Sequence, residues 1–176
     1  MANRDALRAF QSRLAGRLQA ARSSGVSASW LAVEAGESKF LFPLGHAGEI
    51  FPWTLPQVVP YTHQWFLGVS NLRGGLYGVV EFATFATGRR SAAVSEVARA
   101  QSRLVALNEL LEVNCALLID RLVGLRGVEA FVASEPPAAD APAWMGSSYT
   151  DENGEQWQEV NLQALSQQTQ FLSIGA

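Results

Sequence analysis

Turn-forming residues interrupt this chain at short intervals from Ser29 onward, and this punctuation constrains the fold more than any other feature of the sequence. Glycine, proline and small polar residues recur roughly every eight to twelve residues, which is the spacing of turns between short strands. Pro52, Pro56 and Pro60 follow one another closely, and each would break a helix. The pattern predicts an all-β barrel or sandwich with peripheral helices.

Apolar runs mark the individual strands. Residues 76–82 alternate in side-chain direction, whereas residues 115–122 are nearly continuous in apolar side chains and are therefore expected at the centre of a sheet. Gly124 and Gly127 interrupt the segment that follows, and the polar residues 147–155 predict turns. Further strands are predicted at 30–33, 39–42, 103–108 and 158–162, with a bulged or irregular segment at 44–50, a helical turn at 94–100 and a short helix at 162–168.

The N-terminal segment has a helical period instead. Its apolar side chains fall in one narrow stripe, since each helical residue turns by about 100°, and arginines flank that stripe on both sides. The sequence predicts an amphipathic helix within residues 1–24, followed by a domain at 28–176. A helix that docks on protein is favoured over one on a membrane or nucleic acid, because the stripe is narrow and the helix has no lysine or tryptophan. The stripe comprises Leu7, Phe10, Leu14, Leu18 and Ala21.

Charge is distributed unevenly along the chain. Five arginines against one aspartate give residues 1–22 a charge of about +4, so the net charge of −3 leaves about −7 for the remainder. No overall basic field exists that would attract nucleic acid. The N-terminal arginines nevertheless leave one rival hypothesis from another class, a small-barrel nucleic-acid-binding protein with a basic arm.

Catalytic and metal-binding signatures are absent from the sequence. The single cysteine, Cys115, lies in an apolar run without a charge that would activate it, and His46 and His63 have no partner at metal-ligand spacing. The sequence therefore predicts no enzymatic activity, no cofactor and no metal. Because it also contains no signal-peptide core and no apolar run of membrane length, a cytoplasmic protein without direct membrane insertion is expected.

One arginine, Arg73, stands in the apolar and glycine-rich stretch from residue 65 to residue 85. A guanidinium among apolar neighbours is costly unless it reaches water, an acid or a partner. Arg73 is thus expected either to form an internal salt bridge, with Glu49 or Glu81 as the acid, or to be displayed to a partner. Both arrangements can hold in turn.

Three segments resemble the CheW-like coupling proteins of bacterial chemotaxis arrays. They are Asn71-Leu72-Arg73-Gly74 with the strand after it, the run 46–50 that ends in Glu-Ile, and the run 117–123, an apolar strand ending in Asp. They occur in the family's order and spacing, and the resemblance covers about residues 28–165. It implies two intertwined five-stranded β-barrels with a hydrophobic seam between them, and it implies a protein that is not an enzyme.

The resemblance also implies a receptor-binding site in a groove between the barrels. Arg73 matches the family arginine implicated in receptor contact, Asn71 belongs to the same motif, and Glu49 is the acidic neighbour in the first barrel. The first barrel's side of the groove is expected to carry Leu44, Ala47, Ile50 and Gly68. Positions of the second barrel that line the seam are matched by Ala116, Leu122 and Leu125. Residues that contact the kinase are not assigned.

Family members bind the regulatory domain of a CheA-type histidine kinase and the cytoplasmic tip of a methyl-accepting chemoreceptor. The resemblance therefore implies an adaptor that is recruited to membrane-bound receptor arrays. The N-terminal helix and the residues 65–68 are similar to the PilI branch of the family, which serves type IV pili in twitching motility. Flagellar chemotaxis is the alternative system within the family.

Overall fold

The structure is a computed structural model that describes residues 29–176, so the helix predicted within residues 1–24 lies outside the described residues. The described chain forms eleven strands in two sheets. Their bounds are β1 (Ser29–Ala35), β2 (Ser38–Pro43), β3 (Ala47–Pro52), β4 (Phe66–Leu72), β5 (Gly75–Glu81), β6 (Arg103–Leu107), β7 (Cys115–Ile119), β8 (Arg121–Gly127), β9 (Phe131–Glu135), β10 (Met145–Asp151) and β11 (Gln156–Val160).

Four short helices connect or follow these strands. They are α1 (Phe82–Thr87), α2 (Glu96–Gln101), α3 (Leu162–Gln167) and α4 (Thr169–Leu172), and two single 3-10 turns lie at Glu109–Leu111 and Val128–Ala130. Side chains cap two of the helices where the sequence offers an acceptor. The Ser95 hydroxyl accepts from the Ala98 N–H at 3.2 Å and the Asn161 side-chain oxygen accepts from the Ala164 N–H at 2.9 Å, which satisfies one unpaired donor of each first turn.

The two sheets are interleaved along the chain. One has six strands in the order β8-β1-β2-β11-β10-β9, and the other has five in the order β3-β6-β7-β5-β4. The described part of the chain begins in the six-stranded sheet with β1 and β2, forms the whole five-stranded sheet and then returns, so that β11 pairs in parallel with β2. This confirms the predicted all-β class with two intertwined units, and the six-stranded sheet has one strand more than expected.

Three hydrophobic clusters follow from this arrangement. One lies within the six-stranded sheet around Trp30 and Trp157, and a second lies within the five-stranded sheet around Leu104 and Leu118. The third and largest, named here the seam cluster, combines buried residues of both sheets with those of α1, α3 and α4. Each fully buried large side chain contributes roughly 1.5–3 kcal/mol, so the seam fixes the two sheets against each other.

The predicted central strand is confirmed, because β7 lies between β6 and β5 and all five of its residues are buried. Four details of the predicted secondary structure were wrong. The strand predicted to run from residue 115 to residue 122 ends at Ile119. Gly124 and Gly127 do not interrupt the chain but lie within β8, and residues 145–151 form β10, although turns were predicted from residue 147. Phe82 begins α1 and does not end a strand, because its ring enters the seam cluster between Phe40 and Phe42, at 4.8 and 5.4 Å between ring centroids.

Candidate functional site

The hairpin between β4 and β5 presents Arg73 at its tip. Leu72 pairs with Gly75, so Arg73 and Gly74 alone form the turn, with φ of +50° and +84°. Positive φ at both central residues is what the right-handed twist of two-residue hairpins requires. The Asn71 side-chain oxygen accepts the Gly74 N–H at 3.0 Å. Asn71 therefore stabilises the turn that holds the arginine away from the sheet.

Arg73 forms an ion pair with Glu49, at 2.5 Å between guanidinium nitrogen and carboxylate oxygen. Of the two acids predicted for an internal salt bridge, the structure selects Glu49, while the Glu81 carboxylate accepts a hydrogen bond from the Thr84 hydroxyl. The Arg73 side chain is nevertheless 77% exposed and that of Glu49 43% exposed. An exposed pair of this kind contributes little to stability, so the guanidinium is both paired and displayed.

This ion pair also shows that the five-stranded sheet is curled. Glu49 belongs to β3 and Arg73 follows β4, and these are the two outer strands of the sheet. Inside the curl, the rings of Phe51 on β3 and Tyr77 on β5 lie 6.3 Å apart. The outer strands thus approach each other, and the ion pair spans the gap at the hairpin end.

Two outer strands, β3 and β8, turn apolar side chains toward the seam between the sheets, and the space between these strands is named the groove here. On β3, Ala47 and Ile50 pair with Leu107 and Val105, both of which belong to the seam cluster. Directly paired residues of neighbouring antiparallel strands point to the same face. Ala47 and Ile50 therefore face the seam from one wall, with Ile50 36% exposed.

The opposite wall is β8, one of the two outer strands of the six-stranded sheet. Leu122 pairs with Val33 and Leu125 pairs with Leu31, and both of these partners belong to the seam cluster. Leu122 is half-buried, whereas Leu125 is 63% exposed. Leu44, exposed in the loop before β3, lies at one end of the groove, since its N–H donates to the Ser29 carbonyl at 3.2 Å.

The other end of the groove carries two arginines. A recess of about 400 Å³ is lined there by Arg103 of β6, by Arg121 and Leu122 of β8, and by the last residues of α2. Arg121 forms a bidentate pair with Glu34, at 2.9 and 2.7 Å. The hydrogen bond from this guanidinium lowers the pKa of the Glu34 carboxyl and raises that of Arg121. Arg103 donates to the backbone carbonyl oxygens of residues 100 and 102, at 3.0 and 2.8 Å.

Most of the predicted site residues are therefore brought together, but two have a different place. Ala116 lies on β7 of the five-stranded sheet with no exposed surface, in the cluster inside that sheet. It does not share a wall with Leu122, and its side chain is not available to a partner. Gly68 is buried and has φ of +130°, and a Cβ there would lie 2.0 Å from the Gln57 carbonyl oxygen. Its role is to allow the loop before β4 to approach the sheet.

The two arginines of the recess were not predicted as site residues. Arg121 carried a usable signal, because it directly follows the long apolar strand and Asp120. Arg103 had none, since its proximity to Arg121 arises from the pairing of Arg103 with Ile119 at the end of β7. Among the described residues, no group of His, Cys, Asp and Glu side chains is arranged to hold a metal ion. No described helix is long and apolar enough to cross a membrane.

Comparison with known proteins agrees with this architecture. The family model for the CheW-like domain matches residues 29–170. The Protein PilI of Pseudomonas aeruginosa strain PAO1 is 28% identical over 166 residues, which are 92% of this chain and 88% of that protein. The crystal structure of the scaffolding protein TtCheW from Thermoanaerobacter tengcongensis superposes with a TM-score of 0.62 at 15% identity, over 77% of this chain and 89% of that one. Since the family model covers most of its length, the chain belongs to the CheW-like domain family.

Proposed function

We propose that this protein is a non-enzymatic adaptor that couples a chemoreceptor to a CheA-type histidine kinase in the chemosensory pathway of type IV pili, and so controls twitching motility. The observation that carries the proposal is the groove between β3 and β8, apolar at one end, lined by two arginines at the other, with the exposed Arg73–Glu49 pair near its rim. Membership of the CheW-like family and the similarity to PilI support it.

The groove suits a helical ligand. An amphipathic helix binds by laying its apolar face into a hydrophobic groove, and Ile50 and Leu125 offer such contacts from opposite walls. Arginine forms strong, directional hydrogen bonds with carboxylates, so Arg73 and the arginines of the recess select for acidic residues on the same ligand. The cytoplasmic tip of a chemoreceptor, a helical hairpin, is the partner proposed for this surface.

An adaptor needs no catalytic group. It acts by holding receptor and kinase in one assembly, where a change in the receptor alters the kinase only to the extent that the two states bind differently. The kinase regulatory domain is expected to bind outside the groove, so that both partners are held at once. The adaptor is thus proposed to be cytoplasmic and recruited to receptor arrays.

The test is a pair of calorimetric titrations of the purified full chain, one with the kinase regulatory domain and one with a soluble receptor hairpin. Micromolar binding of both partners is expected. Ile50→Asp should weaken receptor binding at least about tenfold, because a charge replaces apolar surface worth more than 1.4 kcal/mol on burial. Ile174→Asp is the matched control, since Ile174 has the same exposed fraction, 36%, and follows α4.

Absence of binding to either partner at micromolar concentration would remove the coupling role. A deletion strain separates the two motility systems: loss of twitching with intact swimming supports the pilus pathway, and loss of swimming alone would assign the protein to flagellar chemotaxis.

A further inference from the structure

Exposed apolar side chains surround Ser29, the first described residue. Its carbonyl oxygen accepts from the Leu44 N–H, and its partner across the β1–β8 pair is Gly127. Next to these contacts, Leu44 is 39% exposed, Val128 36% and Leu125 63%. The N-terminal segment of the chain therefore joins the domain among apolar side chains that the described residues leave partly exposed, at the apolar end of the groove.

Acidic residues predominate around the same point. The Asn108 N–H donates to the His46 carbonyl at 2.9 Å, which brings the turn containing Glu109 and Glu112 next to the loop before β3. The Glu129 carboxylate lies against the backbone of Gly127. Among residues 29–176, the cations near this point are Arg73, which is paired with Glu49, and Arg126 of β8. The apolar end of the groove thus has an acidic margin, in contrast to the recess at its other end, which is lined by Arg103 and Arg121.

Residues 3–22 have the complementary chemistry. Their sequence places an apolar stripe between flanking arginines, with a charge of about +4 against about −7 for the rest of the chain. Twenty residues in a helix would extend about 30 Å, and the six residues 23–28 can span up to about 20 Å. The stripe is therefore tethered within reach of the groove, where its effective concentration is in the millimolar range.

We propose that residues 3–22 bind in cis over the apolar end of the groove, with their stripe on Leu44, Leu125 and Val128 and their arginines facing Glu109 and Glu129. A segment held there covers surface on which the proposed receptor contact depends, so segment and receptor compete. The competition rests on the proposed function, whereas the docking does not. A membrane surface or nucleic acid is a poorer occupant for residues 3–22, because the acidic remainder of the chain would be repelled by either.

Hydrogen–deuterium exchange on the full chain tests the docking. The stripe variant is Leu14→Asp with Leu18→Asp, and the control is Ser12→Asp with Gln19→Asp, which adds the same charge on the opposite side of the predicted helix. Amides in residues 44–50 and 121–128 should exchange about tenfold faster in the stripe variant if the segment is docked about 90% of the time. They should be unchanged in the control, and the protection in the unmodified chain should not depend on protein concentration.

A disulfide between Leu18→Cys and Leu125→Cys provides a second measurement that does not require a destabilised segment. Cys115 is buried and does not compete for oxidation. Rapid formation of an intramolecular disulfide in dilute protein is expected for the docked segment. Equal exchange in both variants, together with a slow disulfide, would overturn the proposal. A disulfide or an amide protection that appears only at high protein concentration would also overturn it, because the segment would then be docked on a second copy of the chain.

The competition has its own readout. The stripe variant should bind the receptor hairpin about tenfold more tightly than the control, because the competent state is no longer reduced to about one tenth of the population. Equal affinity of the two variants would overturn the competition. If neither variant binds the receptor, the proposed function fails while the exchange result still decides the docking.

Discussion

Replacing Arg73 by alanine separates display of this arginine from a structural role. The ion pair with Glu49 joins side chains that are 77% and 43% exposed, and such pairs contribute about 0.2–1 kcal/mol. The backbone does not lower the stability further, because alanine and arginine have the same energetic penalty for the left-handed conformation at φ of +50°. In a chain of this size 1 kcal/mol corresponds to roughly 2–4 °C in Tm. We therefore expect Tm to fall by less than about 4 °C.

Receptor binding should change far more. A hydrogen bond to a charged group contributes about 1.5–3 kcal/mol, which corresponds to roughly a ten- to hundredfold increase in Kd. The measurement is a titration with the receptor hairpin, alongside calorimetric melting of the same samples. Arg89→Ala is the matched control, because it removes the same charge from an exposed position beyond α1, at the end of β5 away from the hairpin.

A charge swap sharpens the comparison. The double variant Arg73→Glu with Glu49→Arg keeps both charges near the hairpin end and should regain the small stability lost in the single variants. It should not regain receptor affinity if the guanidinium at position 73 itself contacts the receptor. A fall in Tm of much more than 4 °C on Arg73→Ala, with binding recovered in the swapped pair, would refute the display of Arg73 and leave it as a structural clamp.

Three further predictions concern stability and reactivity. Gly68→Ala should lower the free energy of unfolding by at least about 3 kcal/mol, because a Cβ there clashes with the backbone, and Tm should fall by at least about 6 °C. Gly74→Ala, with φ of +84° and open space for a Cβ, should lower it by only about 1–2 kcal/mol. Equal losses in the two variants would contradict this account. Arg121 lowers the pKa of Glu34 below its ordinary value of 4.5, so the stability from this pair is present above that value and is lost as the pH falls through the folded pKa. The loss on Glu34→Gln, measured by urea unfolding, should therefore be largest near neutral pH and vanish in acid, and a loss that persists in acid would be inconsistent with the ion pair. Burial raises the pKa of Cys115 to about 12, so a thiol reagent at pH 8 should label it only after unfolding in guanidinium; labelling of the native protein would show that the seam opens.

The strands that the sequence predicted well are those whose burial leaves a simple pattern. β7 is buried along its whole length and reads as a continuous apolar run, and β5 alternates between two clusters. By contrast, β10 is half-buried and polar, and it is held in its sheet by pairing with β9 and β11. Local sequence does not contain that information, because the pairing partners lie outside the strand.

In the candidate site, too, some features follow from the local sequence and others depend on how distant strands pack. The motif from Asn71 to Gly74 predicted a special arginine, and the structure explains it as the tip of a two-residue hairpin. The choice of Glu49 over Glu81 as its partner depends on how far the five-stranded sheet curls, which no single motif encodes. Likewise, Ala116 was assigned to the second barrel from its resemblance, whereas its strand lies at the centre of the sheet that contains Glu49.

The interleaved order of the strands has a consequence for synthesis on the ribosome. All strands of the five-stranded sheet lie between Ala47 and Ile119, so this sheet can assemble while the C-terminal third of the chain is still being made. β1 and β2 are made before this sheet, but β1 lacks its outer neighbour β8 until β7 is complete, and β2 lacks β11 until near the end of translation. The nascent chain therefore carries an apolar two-stranded hairpin with unpaired edges, the kind of intermediate that exposes strand edges to aggregation and that chaperones protect. Slow final closure by distant strand pairs follows from the same order.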